Sequence, residues 1–405
     1  MTKGENFVFF DNINTTFPDP EVVDIISKTL DARLGNPASH VHTAGINAGA
    51  LVDKARSLVS DFISGSDGSI IFTSGATESN NLALSGFLSA NNKFQLAVTP
   101  IEHFSILNQS FKLRNDGVKI RTIVSDSFGS VDLDSLEHIV AEGPTLVSIA
   151  LANPEIGTVQ DMGGISEICR KYGAVLHSDC TAAARLIDID VNAMGIDMIT
   201  LSAHNIYGPT GAGALYMKKG ITVSSLFVGG NQEDGIRPGT ENVIGIAGFG
   251  EACRIAKEGM ESYRDHLSRL GRKLWNGLAD SIQFIHFTGH EEDRLPGHVS
   301  FWVEHVEGES LLLLLNMNGI MASSGSACSS NLKGKDENDL AASHVLTAVG
   351  VPTDICAGSI TFAMGKNNTE DEVDFVLETM PKIVKRLLAM SPSYDDYKKG
   401  KEIYG

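Results

Sequence analysis

The chain has 405 residues, 42% of them hydrophobic and 20% charged, with a formal net charge of −18. That length suffices for a large core and two domains, while the acidic balance and the lack of a polybasic run exclude nonspecific nucleic-acid binding, which needs clustered cations. The longest apolar run, Leu311 to Leu315, is too short for a membrane span, and the start "MTKGENFVFF" lacks a signal peptide's apolar core, so we expect no membrane partner and a cytoplasmic location.

From Phe7 to Met217, short β-rich runs alternate with helical patterns, beginning "FVFF", "PEVVDIISKTLDARL", "SIIFTS" and "ATESNNLALSGFLSA". The series goes on through "FQLAVT", "VKIRTIVS", "TLVSIALAN", "AVLHSD" and "DMITLS" to "GALYMK". Such alternation predicts an α/β fold, a mostly parallel sheet flanked by helices. Ligands of these sheets sit beyond the carboxyl ends of the strands. Five segments fall at such ends: Thr73 to Thr77, Glu102 and His103, Asn153 to Gly157, His177 to Ala182, and Ser202 to Asn205.

"FTSGATESNN" ends a strand and opens a helix, so its free N–H groups suit a phosphate. A capped helix start uses the same residues. Ser202, His204 and Thr240 could add donors to such an anion, or serve plain turns. Asp179 in "LHSDC" could neutralise a protonated ring nitrogen or cap a helix, and His103 could stack on a flat ring or be a satisfied imidazole.

A long helix is expected over Val243 to Leu278. Beyond it, strands "HVSFWV", "IMASS" and "SITFAMG" and helices around Glu309 and Glu370 form a smaller α+β module. The tail "SPSYDDYKKGKEIYG" reads as a peripheral or mobile arm, either a solvated terminus or a docking segment.

Five cysteines with no C-x-x-C pair argue against a disulfide framework or zinc finger. Cys328 lies among small residues in "ASSGSACSS", a setting for an exposed, mobile thiol.

Together these motifs resemble the cysteine desulfurases of the NifS and IscS type, within the class V aminotransferase group of pyridoxal-phosphate (PLP) proteins. The resemblance runs nearly end to end, through "GNPASHVHTAG", "FTSGATESNNLAL", "NPEIGTVQD", "SAHNIYGPTGAGALY", "GGNQEDGIRPGTEN" and "SSGSACSS". It implies PLP-transferase fold type I and a homodimer. The large cofactor domain would span 15–255, and a small domain 1–14 with 256–405, carrying the Cys328 loop and tail. It also implies sulfur transfer from cysteine onto Cys328 as a persulfide, then to acceptors such as iron–sulfur scaffolds.

The resemblance assigns His103 to ring stacking and acid/base work, and Asp179 to the pyridinium nitrogen. Ala76, Thr77, Ser202 and His204 would form the phosphate cup, with Thr240 reaching in from a partner subunit. Four positions depart from the pattern. The Schiff-base lysine falls on Asn205, whose amide is not nucleophilic. The substrate-carboxylate arginine falls on Thr361, the ring-contacting glutamine on Ala182, and an asparagine beside the ring on Pro154. A hydroxyl cannot replace a bidentate guanidinium.

Four departures in one pocket suggest a rebuilt or retired site rather than a single inactivating change. The expected function is a desulfurase-like pseudoenzyme that handles sulfur through Cys328, in iron–sulfur assembly with a scaffold or acceptor partner. Two readings stay open beside it. One is an enzyme holding PLP non-covalently and acting on another amine. The other is a metal or iron–sulfur cluster site using Cys180 and Cys328, with Cys356 as a further thiol and Asn14 as an added polar group.

Overall fold

The computed structural model describes residues 7–324, 343–351 and 358–400. Its strands are β1 (Val8–Phe9), β2 (Gly68–Thr73), β3 (Gln95–Val98), β4 (Ile120–Thr122), β5 (Thr145–Ser148) and β6 (Val175–Asp179). They continue as β7 (Met198–Ser202), β8 (Gly213–Lys218), β9 (Ile285–Phe287), β10 (His298–Val303), β11 (Ile320–Met321) and β12 (Ile360–Ala363).

Seven strands form the main sheet in the order β2-β8-β7-β6-β5-β3-β4. The pairs β3–β4, β3–β5, β5–β6 and β6–β7 are parallel, and β8 runs against both its neighbours. β3, β5 and β7 are buried at every position, the pattern of strands covered on both faces by helices. This is the α/β architecture expected from the alternation of short apolar runs and helical patterns.

"FVFF" departs from that expectation. Instead of opening the main sheet, β1 pairs in parallel with β11, Val8 opposite Ile320. The aromatic content explains the capture: Phe10 is fully buried and meets Phe362 edge-on, 5.7 Å between centroids, in the core behind β12. β9, β10 and β12 form a separate antiparallel sheet. The helix Val243–Ser281 runs unbroken past residue 255.

The expected helix from Ala76 is interrupted. Residues Leu82–Gly86 take a π-helical turn. There the Gly86 carbonyl accepts from Ser224 N at 2.9 Å, and a Cβ on Gly86 would meet the Ser224 oxygen at 2.7 Å. A backbone that approaches this closely leaves room only for glycine.

Of the tail expected as a peripheral or mobile arm, residues 391–400 take the peripheral form. Pro392–Lys398 is a helix capped by Ser391, and Tyr394 and Tyr397 pack on Phe284 and His305. Its two tyrosines lie three residues apart and share one helical face, so the anchoring contacts are aromatic.

Candidate functional site

The five segments marked at strand ends do sit beyond the carboxyl ends of β2, β3, β5, β6 and β7. Within the fourth segment, His177 and Ser178 are still inside β6. His177 is a fully buried mid-strand residue whose Nδ1 meets Ser148 Oγ at 2.9 Å and whose Nε2 meets Thr200 Oγ1 at 3.0 Å, and burial lowers its pKa to about 4.

A cavity of about 90 Å³ opens among these ends and β12. Its wall brings together His103, Asn14, Pro154 and Thr361 with Glu102 and Glu155. His103 is exposed and caps the helix Phe104–Asn115, its Nδ1 accepting from Ser105 N at 3.1 Å. With Nδ1 so committed, the ring keeps a fixed orientation and leaves Nε2 as the atom free to meet a ligand.

Asp179 ends β6, 6% exposed. Oδ2 accepts from Asn80 Nδ2 at 2.7 Å, and Oδ1 accepts from Thr181 N at 3.0 Å and Thr181 Oγ1 at 2.7 Å. The carboxylate is thus held rigidly, with lone pairs to spare for one more donor. Asn80, which the sequence reading did not single out, is fully buried one turn into the helix begun by Ala76.

At the end of β7, Asn205 is enclosed. Its Nδ2 donates to the Ile13 carbonyl at 2.9 Å, and its Oδ1 accepts from Ser202 Oγ. Asn205 therefore behaves as a structural amide that sews the amino-terminal segment to β7, and it occupies the Ser202 hydroxyl as well. His204 is different: its Nδ1 is buried without a partner, while its carbonyl accepts from Thr16. Ala76 and Thr77 supply N–H groups ahead of the first internal bond of their helix, Ser79 N to Gly75 O. The turn is tight, since a Cβ on Gly213 would fall 2.6 Å from Gly75 Cα.

Thr240 lies elsewhere within the protomer. It is exposed on the rim of a second cavity, of about 240 Å³, beside Ser74, Gly211 and Arg237.

The opposite wall is a hydrogen-bond hub. Glu155, 8% exposed, accepts from Ser343 Oγ at 2.6 Å and Ser359 Oγ at 3.1 Å, and its carbonyl accepts from Thr361 Oγ1 at 3.0 Å. The Thr361 hydroxyl is spent on backbone. The Pro154 carbonyl accepts from His298 Nε2 at 3.0 Å. Ala182 is buried in the main apolar core and offers no polar atom. Glu102 accepts from Thr99 Oγ1 at 2.7 Å and from Ala150 N, and its carbonyl meets His344 Nε2 at 3.0 Å. Desolvation lifts the Glu102 carboxyl to about 8 and the Glu155 carboxyl to about 7. Ser343 and His344 also escaped the sequence reading; they follow a polar segment and carry no motif of their own.

The paired-thiol expectation is corrected. Cys180 is fully buried in the main apolar core, where burial raises its thiol pKa, and it does not line the cavity. No group of three or more metal-ligating side chains occurs among the described residues. A thiol in a packed core cannot present itself to a metal without breaking the packing. Cys328 and Cys356 lie outside the described residues.

The sheet topology, with polar groups gathered at the carboxyl ends of its parallel strands, defines an open, mostly parallel α/β protein. The aminotransferase class-V family model matches residues 8–376. The chain is 40% identical over 388 residues to cysteine desulfurase IscS 1 of Archaeoglobus fulgidus, covering 95% of this chain and 99% of the relative. It is 39% identical to the IscS of Methanosarcina thermophila, covering 96% of each. Among solved structures, a NifS-like protein superposes with a TM-score of 0.86 at 34% identity, covering 94% of this chain and all of the other. A NifS-like protein from Rickettsia africae gives 0.84 at 30%, again over 94% and 100%. The chain belongs to the class V aminotransferase family, among the IscS/NifS-like cysteine desulfurases.

That family is PLP-dependent. Here the unpartnered His204 Nδ1, the N–H groups at Ala76 and Thr77, and the Asp179 carboxylate fit the phosphate and ring nitrogen of such a group. Asn205 does not fit its covalent attachment, having no amine and both polar ends engaged. Among the described residues no helix is long and apolar enough to cross a membrane.

Proposed function

We propose that this chain is a desulfurase-like sulfur-handling protein that works through Cys328 without the standard PLP-dependent reaction, and passes sulfur to an iron–sulfur scaffold or another acceptor protein. The observation that carries the reading is Asn205: an amide closed onto Ile13 and Ser202 stands where an imine-forming amine would be needed. In the reaction we envisage, the Cys328 thiolate attacks the outer sulfur of a low-molecular-weight persulfide. A Cys328–sulfur bond forms, the donor's sulfur–sulfur bond breaks, and the donor leaves as its thiolate.

The protein works in this reading as a cytoplasmic homodimer. Support comes from the exposed Thr240 and from the exposed apolar Val41, Phe227 and Val228, whose burial against a second copy would be favourable. The tail helix offers a fixed docking surface beside the small sheet.

The test is mass spectrometry of the protein treated with cysteine persulfide. One added sulfur at Cys328, absent in Cys328→Ser, is expected, together with no alanine from L-cysteine in the presence of added PLP. Alanine and sulfide formed faster than in buffer, or no sulfur gained at Cys328, overturns the reading. A second reading, PLP held without a covalent bond, is favoured by the unpartnered His204 Nδ1. A visible spectrum unchanged by added PLP removes it.

A further inference from the structure

We propose that Arg237 is a positioning residue for the anion cup at Ala76 and Thr77, acting through Glu78, whose charge it cancels so that a phosphate can be received beside it.

The turn carries a conflict of charge. Thr77 supplies an N–H group suited to phosphate, and the next residue is Glu78. The Glu78 carboxylate closes the turn on itself, Oε2 accepting from Ser74 N at 2.8 Å and from Ser74 Oγ at 2.5 Å. Those bonds shape the corner between strand and helix but bring no positive charge. A carboxylate fixed in the same turn repels an incoming phosphate, and in a partly buried setting solvent and salt screen that repulsion poorly.

One cation meets it. Arg237 Nε donates to Glu78 Oε1 at 2.9 Å, the two side chains being 26% and 12% exposed. Glu78 has no other ion pair among the described residues. Burial works against the ionised carboxyl, and Arg237 together with Ser74 outweighs it, holding the Glu78 pKa below its ordinary value. Glu78 is therefore an anion in the folded chain, with Arg237 as its counter-charge.

The path of the loop shows that this guanidinium is placed there. Glu233 and Asp234 both take left-handed backbone angles, φ 48° and 56°, a strained choice for two successive non-glycine residues. The Glu233 carboxylate holds them in it: Arg56 Nη1 and Nη2 donate at 2.8 and 2.7 Å, and Phe72 N donates at 2.8 Å. Gln232 Oε1 accepts from Gly239 N at 3.0 Å and ties the far side of the loop. The loop is thus fastened to β2 at Phe72, just ahead of Ser74, and it delivers Arg237 to Glu78 on the other side of the same corner. Arg237, Ser74 and Thr240 line one cavity, of about 240 Å³.

This inference rests on the phosphate fit that favours non-covalent PLP, and Cys328 has no part in it. The full chain is titrated with inorganic phosphate by calorimetry at one pH and low ionic strength. Arg237→Gln should weaken phosphate about tenfold, less so with added salt, while Arg237→Lys, which keeps the charge, should stay within about threefold of wild type. Glu78→Gln should bind phosphate more tightly than wild type, and Glu78→Gln with Arg237→Gln should return to within about threefold of it, because both members of the pair are then uncharged. A role confined to shaping the turn would instead leave both of these weak. Unchanged binding in Arg237→Gln, a loss that salt does not reduce, an equal loss in Arg237→Lys, or weakened binding in Glu78→Gln or in the double variant overturns the inference and leaves the phosphate fit standing. No phosphate binding by the wild-type chain overturns both.

Discussion

Two polar clusters beyond the strand ends, one at β7 and one on the cavity wall beside β12, are settled in opposite ways. At the end of β7, Asn205 closes both its polar ends on Ile13 and Ser202, leaving no net charge behind. On the cavity wall, a hydroxyl and a proline ring stand where the resemblance leads one to expect an arginine and an asparagine, and among the described residues Glu155 has hydroxyl partners and no ion pair. One cluster is closed on itself; the other holds a carboxyl with no ion pair among the described residues. A missing functional group is therefore not by itself a sign of a dead pocket, because its consequence depends on which neighbours remain.

The largest effect that separates the clusters should come from pH. Glu102 and Glu155 hold protons in the fold up to about 8 and about 7, whereas the unfolded chain releases them near 4.5. Between those limits the folded state binds more protons, so stability falls as pH rises from about 4.5 to about 8 and levels off above, by roughly 8 kcal/mol in total at about 1.4 kcal/mol per pKa unit. Urea unfolding across that range measures it, and Glu102→Gln should flatten the slope. A slope that survives in Glu102→Gln unchanged would assign the protons to other groups.

A smaller effect is expected in the closed cluster at β7. Asn205→Ala strands the Ile13 carbonyl and the Ser202 hydroxyl, both buried, and should cost about 1–3 kcal/mol with no change in the pH slope. Equal stability in Asn205→Ala would mean that the amide is not the tie between the amino-terminal segment and β7.

The smallest effect should be at His204, the one β7-end side chain with an unpartnered ring nitrogen. His204→Gln should shift unfolding by no more than about 0.5 kcal/mol, while weakening any inorganic phosphate binding at the Ala76 turn. A large destabilisation would show that the ring serves packing and not an anion.

Much of this could be read from residue order. The parallel sheet and the long helix from Val243 follow from short, continuously apolar runs alternating with period-3.6 patterns, and the strand ends from where those runs stop. The failures share a cause. "FVFF" has the pattern of a core strand, yet Phe10 finds its aromatic partner 352 positions away in sequence at Phe362, in another sheet. The tail left two readings open because Tyr394 and Tyr397 reveal their common face only once Phe284 and His305 are brought beneath them. Cys180 follows a site residue in the chain, but its side chain points into the core.

What the order of residues decided alone is chemical identity: no amine at position 205, no guanidinium at 361, a thiol at 328. Those facts hold in any conformation, because they are covalent. What only the folded chain decided is the state of each group, whether Asn205 is spent or free, whether Glu155 has a counter-ion, whether Cys180 meets a cavity. Desolvation and hydrogen bonding depend on neighbours that are near in space and remote along the chain, as Ile13 is from Asn205 and Ser343 from Glu155.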